Sequence, residues 1–287
     1  MSDFLQQVVA SRREYVREAK ARRPLEELLQ ALPHNAWTLA HQTAPGGHVV
    51  VGRKADAFEA ALHRRKRMGQ LGVIAEVKRS SPALGALAAP GLSAAGQALR
   101  YEAGGATAIS VLTEPRFWGG SLDDLVAVRA AVLLPVPCKD VIVDEYQIVE
   151  ARAAGADAVL LIAEVLSDAQ LRRFRQRASE LSMGTLVEAH ESVAFGRAVA
   201  CGSLVVGINA RDLRRPKDID IGRARQLHTF AKDGQILVAE SGIGSADDAR
   251  LLPARVDAVL VGTALMRAAD PGMVIQQLCG VRRAVSV

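Results

Sequence analysis

Aromatic residues are scarce in this chain: two Trp, three Tyr and six Phe make up only 4% of 287 residues. Interleaved stacking aromatics are missing, and so are zinc-finger spacings and basic zipper heptads, so the usual signatures of a nucleic-acid binder are not there. Cysteine is scarcer still. Cys138, Cys201 and Cys279 lie far apart with no CxxC pair, which argues against a zinc site, a redox motif and a disulfide framework and points to a reducing compartment. No run approaches the roughly 18 apolar residues of a membrane span. The N-terminal Met-Ser-Asp-Phe-Leu-Gln-Gln lacks the apolar core of a signal peptide. The expectation is a soluble cytoplasmic protein with no membrane partner.

What is present is a globular composition, 49% hydrophobic and 23% charged, on a chain long enough to bury a sizeable core. Length alone suggests about two domains, although an α/β barrel takes roughly 250 residues as one unit. The net charge of +5 is local. Ser11 to Arg23 carry six bases against two acids, and Arg64-Arg65-Lys66-Arg67 add four bases; taking those eight charges from +5 leaves −3 for the rest. A solvated helical face and a nucleic-acid patch are the two readings of these runs, and the missing signatures favour the first.

Phe4, Leu5, Val8, Val9, Tyr15, Val16 and Ala19 form an apolar stripe at helical spacing, so the chain opens with a helix. Pro24 ends it or opens the next, Leu25 to Leu32, before Pro33. A polar stretch with Pro45-Gly46-Gly47 leads to a third helix carrying Ala57, Phe58, Ala61 and Leu62. From residue 72 the period changes. Val73–Ala75, Ala108–Leu112, a short run ending at Lys139, Ala158–Ile162, Thr185–Val187, Leu204–Ile208, Ile236–Val238 and Ala258–Val261 alternate with helix-compatible sequence. Continuous apolar strands separated by helices indicate a parallel sheet covered on both faces. Pro135 and Pro137 confine the third strand to a short one.

Asp157-Ala158-Val159-Leu160 recurs as Asp257-Ala258-Val259-Leu260, four strand–helix units later, as two similar half-barrels would. A doubly wound open sheet is the rival, but no GxGxxG follows the first strand. The fold expected is therefore α/β, a (β/α)8 barrel over residues 70–287, with residues 1–69 as an N-terminal helical extension packed on it, together one structural domain.

In such a barrel the chemistry gathers at the C-terminal strand ends. Those ends here carry Glu76 and Lys78, Lys139 and Asp140, Glu188, Asn209 and Arg211, and Glu240 and Ser241. Strand alternation puts Glu76 and Lys78 on one face. So many ionisable groups aimed at one mouth cost several kcal/mol each unless they pair or act, which points to catalysis or anion binding. Ser241-Gly242 after strand seven and Gly262-Thr263 after strand eight sit where barrels hold phosphate, which favours a phosphorylated sugar. His190 reads as structural and Cys138 as packing. Phe117-Trp118 either flanks a substrate ring or covers the rim.

Six strings then resemble one family in its order and spacing: Glu76-Val77-Lys78-Arg79-Ser80-Ser81-Pro82, Ser110-Val111-Leu112-Thr113-Glu114, Lys139-Asp140, Leu186-Val187-Glu188-Ala189-His190, Gly207-Ile208-Asn209-Ala210-Arg211-Asp212-Leu213 and Glu240-Ser241-Gly242-Ile243. The family is indole-3-glycerol phosphate synthase. The resemblance implies decarboxylating, dehydrating ring closure of 1-(2-carboxyphenylamino)-1-deoxyribulose 5-phosphate to indole-3-glycerol phosphate, in tryptophan biosynthesis, with no cofactor and no metal. It implies Lys139 as the general acid on the ketone, Glu188 in the proton transfer of dehydration, and Lys78 on the anthranilate carboxylate and as a second acid. Glu76 would orient the lysines. Asn209, Arg211, Ser81 and Ser241 would position the substrate, with Pro82, Trp118 and Glu240 also at the substrate and Gly242, Gly262 and Thr263 at its phosphate. The sign of the pKa shift at Lys139 stays open, because Lys78 and Arg211 oppose Glu76.

Three places depart from the family pattern. Val141 stands where the family usually has Phe; Ser81-Pro82-Ala83-Leu84-Gly85 replaces Ser-Pro-Ser-Lys-Gly; and Asn209-Ala210-Arg211 replaces Asn-Asn-Arg. All touch the substrate's surroundings, so a relative of the same reaction type acting on a substituted anthranilate is the alternative. A phosphoribosylanthranilate isomerase, or a non-catalytic nucleic-acid binder using the basic helices, would leave the charged strand ends unexplained. The partner expected is a small phosphorylated molecule, with no nucleic acid, on a monomer or weak homo-oligomer.

Overall fold

Eight apolar runs become eight parallel strands: β1 (Gly72–Val77), β2 (Ala108–Leu112), β3 (Pro137–Lys139), β4 (Ala158–Ile162), β5 (Gly184–Ala189), β6 (Val205–Asn209), β7 (Ile236–Glu240) and β8 (Ala258–Val261). They close into one barrel in which each strand pairs with its sequence neighbours. Closure is made by β8 on β1, with Ala258 opposite Gly72 and Val261 opposite Ala75. The computed structural model describes residues 3–30, 32, 42–43, 49–50, 56–89 and 91–283. Pro33 and Pro45-Gly46-Gly47 lie outside the described residues.

Helices follow every strand, and the pattern is the (β/α)8 barrel expected from the alternation. Strand positions alternate between two apolar layers. Ile74, Leu160, Leu186, Val238 and Leu260 fill the barrel interior, while Val73, Ile109, Val159, Val187 and Val259 pack outward under the helices. The echoed Asp157 and Asp257 do equivalent work. Each directly precedes its strand, accepts a backbone N–H from at or just before the preceding strand (Val136 and Leu237, both 2.8 Å) and pairs with an arginine, Arg129 or Arg255.

The N-terminal helices brace both ends of the barrel. Helix α1 (Phe4–Arg22) is capped by Asp3, whose carboxylate accepts the Gln6 N–H, as an N-cap should. Its buried face is Leu5, Val8, Arg12, Val16 and Ala19, so one of the bases lies on the stripe itself. The helix runs along the mouth: the Phe4 N–H donates to Arg214 O, and the Phe4 ring packs edge-on against Phe117 and Trp118. Helix α2 (Leu25–Gln30) is shorter than the eight residues expected. Helix α3 (Ala57–Arg67) inserts Phe58 and Leu62 under the opposite end of the barrel. Two short antiparallel pairs were not foreseen, Gln42–Thr43 with Val49–Val50 and, just after β1, Ser80–Ser81 with Gly85–Ala86.

Of the ten bases in the two runs, four pair with distant parts of the molecule, while Arg13, Arg17, Arg22, Arg23, Arg64 and Arg67 are exposed. Lys20 pairs with Asp144, Lys66 with Asp257, and Arg65 donates to Gln70 and to the Gly105 carbonyl. Arg12 goes further: it is buried and meets Asp140 at 2.6 Å, directly after β3.

Candidate active site

The strand ends converge on a cavity of about 380 Å³ at the C-terminal mouth. Of the residues singled out from sequence, Glu76, Lys78, Ser81, Pro82, Trp118, Lys139, Glu188, Asn209, Arg211, Ser241, Gly242, Gly262 and Thr263 line it. Glu240 does not. It is buried against Lys139, outside the cavity lining.

Lys139 is the hub. Its Nζ lies 3.0 Å from Glu240, 3.3 Å from Glu76 and 4.0 Å from Glu188. Burial pushes its pKa down, but Glu240, Glu76 and Glu188 outweigh burial and hold it well above the ordinary lysine value. The direction left open by the sequence is therefore upward, because the three carboxylates outweigh burial. Glu76 also takes Lys78 Nζ at 2.8 Å. Burial raises the Glu76 carboxyl, yet Lys78 and Lys139 prevail and bring it to about 2. Glu188 goes the other way: burial first, then the neighbouring Glu240, push it well above the usual carboxylate range against Lys139. Two buried glutamates on one lysine thus carry opposite protonation tendencies, the pattern that separates acid from base in an active site.

Two glycines make this crowding possible. A side chain at Gly262 would place Cβ 2.1 Å from Glu76 Oε1 and 3.1 Å from Lys78 Nζ. At Gly207 the same atom would fall 2.2 Å from Glu240 Oε1 and 3.3 Å from Glu188 Cβ. Gly262, expected from the sequence at the phosphate, leaves the space that the Glu76–Lys78 pair fills.

Asn209 ties β5, β6 and β7 together. Its amide donates to Glu188 Oε1 (3.3 Å), and its Oδ1 accepts from Ser241 Oγ (2.9 Å) and the Arg211 N–H (2.9 Å). Ser241 and Gly242 both have left-handed φ, +69° and +75°; a non-glycine residue held there is strained, and such strain gathers at functional loops. Arg211 sends its guanidinium to the Pro216 carbonyl, and burial lowers its pKa while Glu76 opposes that. Val141, Leu112, Leu160, Ile162, Leu213 and Trp118 contribute apolar wall to the cavity.

His190 stands outside this cavity, its Nδ1 against the Asn209 carbonyl at 2.9 Å, which is the structural placement expected. Cys138 is buried beside Thr113 Oγ1 at 3.3 Å, and burial, its largest effect, pushes the thiol up to about 12. Glu114 lines the cavity, but its carboxylate caps the N–H groups of Arg116, Phe117 and Trp118 and so orients Trp118. Sequence reasoning passed over Arg12, which neutralises Asp140 next to the hub. No local signal marks it, since a buried arginine on an amphipathic helix looks like any solvated one until its partner, 128 positions away, is known. Leu84 joins the lining from the loop that departs from the family pattern, and Pro216 and Ile219, from the loop after β6, join it with no sequence signal.

Residues 5–278 match the family model described as indole-3-glycerol phosphate synthase. Among curated proteins, the chain is 39% identical over 280 residues to the indole-3-glycerol phosphate synthase of Laribacter hongkongensis, covering 97% of this chain and 99% of that one. It is 51% identical over 212 residues to that of a Nocardioides species, covering 73% and 80%. Solved structures give the fold alone. A tryptophan synthase alpha subunit from Legionella pneumophila superposes with TM-score 0.57 at 12% identity, over 79% of this chain and 97% of that one. A thiamine phosphate pyrophosphorylase from Pyrococcus furiosus gives 0.55 at 19% identity, over 75% and 95%.

Proposed function

The chain belongs to the indole-3-glycerol phosphate synthase family, the decarboxylating lyases of tryptophan biosynthesis, and from that premise we propose how its strand ends divide the work of closing the indole ring. The substrate is 1-(2-carboxyphenylamino)-1-deoxyribulose 5-phosphate. Its aryl group lies against Trp118, Val141 and Leu160, and its phosphate lies at Ser241, Gly242, Gly262 and Thr263.

Lys139 donates to the ketone oxygen as the ring carbon bearing the carboxylate attacks the carbonyl carbon. The ammonium supplies charge to an oxygen that turns from carbonyl to hydroxyl, and general-acid help of this kind is typically worth ~10²–10⁴-fold. Lys78 holds the anthranilate carboxylate until carbon dioxide leaves and aromaticity returns. Glu76, ionised between the two lysines, fixes both. Glu188, biased toward its protonated form, serves the loss of water. Asn209 keeps Glu188 and Ser241 in register, while Arg211, Ser81 and Pro82 bound the sugar.

The observation that carries this reading is the triple contact at Lys139, an ammonium in reach of Glu76, Glu188 and Glu240 in the lining of a partly apolar cavity. Incubation with the carboxyphenylamino-deoxyribulose phosphate, followed by indole fluorescence, tests it. Product formation is expected; no product with that compound or its ring-substituted analogues rejects it.

We further infer a cytoplasmic protein, a reading that the free thiols of Cys138, Cys201 and Cys279 fit; no described helix is long and apolar enough to cross a membrane. A monomer or weak homo-oligomer without a nucleic-acid partner completes the reading. The internal pairing of Arg12, Lys20, Arg65 and Lys66 supports it, and sedimentation with and without RNA checks it.

A further inference from the structure

Glu240 is the one charged strand-end residue named above that faces the hub without lining the cavity. It is also one half of an unusual pair. Glu188 reaches inward from β5 and Glu240 from β7, and both come together over Gly207 of β6, whose missing side chain leaves the room. Glu188 Oε2 and Glu240 Oε1 are both buried, and neither has a hydrogen-bond donor among the surrounding groups. The two side-chain donors that reach the pair serve its other oxygens. Asn209 Nδ2 takes Glu188 Oε1, and Lys139 Nζ takes Glu240 Oε2 at 3.0 Å while standing 4.0 Å from Glu188 Oε2. Buried carboxylate oxygens left without a donor are costly, and two like charges brought together resist joint ionisation.

We propose that Glu240 is a positioning residue that keeps a proton on Glu188, so that the two carboxyls act as a one-proton pair and Glu188 meets the substrate as a carboxylic acid. The proton lies between the two orphaned oxygens and satisfies both. This goes one step past the ring-closure reading, on which it rests, by assigning the protons of the dehydration step. After decarboxylation, the ring intermediate carries a hydroxyl on the former ketone carbon and two hydrogens on the neighbouring carbon. Glu188 gives its proton to that hydroxyl, the C–O bond breaks and water leaves. The Glu188 carboxylate so formed takes one hydrogen of the neighbouring carbon as a proton, and the released C–H pair becomes the C=C bond of the indole. The pair ends with the single proton it began with, so dehydration draws none from solvent. The proton consumed in turnover is the one that Lys139 delivers to the ketone.

The charged and titratable groups facing Glu188 are Lys139 from β3, itself bound to Glu76 of β1, and Glu240 from β7. Across a small second cavity it also faces Glu164, His190, Asp212 and Arg214, where Asp212 is paired with Arg214 and Arg215. Glu164, after β4, is engaged by the His190 and Glu191 N–H groups. Glu240→Gln removes the anionic partner while keeping an oxygen for Lys139. The proposal predicts that the limb of the kcat–pH profile reporting loss of the Glu188 proton moves to lower pH by about one unit or more. Turnover near pH 8 then falls about tenfold and recovers toward wild type near pH 6, with KM little changed. Glu240→Asp restores part of the displacement. A Glu240→Gln profile with the wild-type shape overturns the proposal.

Should Glu240→Gln fail to fold, infrared difference spectra of wild type and Glu188→Gln decide. The proposal requires a protonated carboxyl band at neutral pH that disappears in Glu188→Gln, and the absence of that band from wild type overturns it. If wild type makes no indole product, the ring-closure reading falls instead, and the infrared band still reports on the pair.

Discussion

Gly262→Ala puts one methyl group where the Glu76 carboxylate now lies. The φ of Gly262 is −122°, outside the left-handed region, so alanine meets no intrinsic φ penalty and its effect is steric. The new Cβ would sit 2.1 Å from Glu76 Oε1, against 3.4 Å for ordinary contact, so the carboxylate must retreat by about 1.3 Å. Its bonds to Lys78 at 2.8 Å and Lys139 at 3.3 Å do not survive that retreat together. Those lysines, working against burial, bring Glu76 from 4.5 to about 2, a net contribution of at most about 3 kcal/mol at neutral pH.

The sign follows from the depression. This stability is fully present above the unfolded carboxyl value near 4.5 and is lost as pH falls toward 2. Thermal melts should therefore show Gly262→Ala lowered by roughly 5–10 °C at pH 7, with the gap to wild type narrowing in acid. Turnover should fall about a hundredfold, since misplacing catalytic groups by about 1 Å costs that much. Wild-type turnover together with an unchanged melt would refute the claim that Gly262 is kept free for the Glu76–Lys78 pair.

Three other perturbations probe the frame around the site. Arg12→Met leaves Asp140 buried without its 2.6 Å partner, a loss of order 3 kcal/mol. Burial already raises Asp140 to about 6 against the pull of Arg12. A raised acid favours folding at low pH and loses that contribution as pH climbs, so the melting deficit of Arg12→Met should be larger at pH 8 than at pH 5; an equal deficit at both speaks against the pairing. Glu59, under the barrel, is raised to about 6 by burial and has one oxygen without a partner. Its ionisation above that pH costs about 2 kcal/mol, so Glu59→Gln should raise the melting temperature more at pH 8 than at pH 4.5. Val141→Phe narrows the apolar wall, and kcat/KM for a methyl-substituted anthranilate substrate should drop about tenfold or more relative to the plain one. An unchanged ratio removes Val141 from the ring subsite.

The barrel was legible because parallel strands buried on both faces need uninterrupted apolar runs, and runs such as Ala158–Ile162 and Ala258–Val261 have no other use. Pro135 and Pro137 likewise foretold the shortness of β3. Boundaries were less secure. The sixth strand was expected over Leu204–Ile208 but runs Val205–Asn209, with Leu204 left 53% exposed as the turn residue before it. The meeting of Glu76 and Lys78 in one cavity was legible from strand alternation, which puts them on one face.

What stayed hidden depends on distances across the barrel. That Arg12 reaches Asp140, or that Glu240 stays out of the cavity lining while Glu188 joins it, follows from how eight strands tilt and close, and no local periodicity encodes it. The same holds for Gly207 and Gly262. Each looks like a loop or strand glycine until a carboxylate from another strand is found in the space its side chain would fill. The pKa direction at Lys139 was undecidable for a related reason. Counting cations and anions in the sequence leaves the balance open, whereas three carboxylates within 4.0 Å decide it.

The central claim is that Lys139, held by Glu240, Glu76 and Glu188, is the acid that starts ring closure. Steady-state turnover of the carboxyphenylamino-deoxyribulose phosphate by wild type and Lys139→Met, read by indole fluorescence alongside direct substrate binding, tests it most directly. The account predicts a fall in kcat of about a hundredfold or more with binding largely kept. Near-normal turnover in Lys139→Met would contradict it.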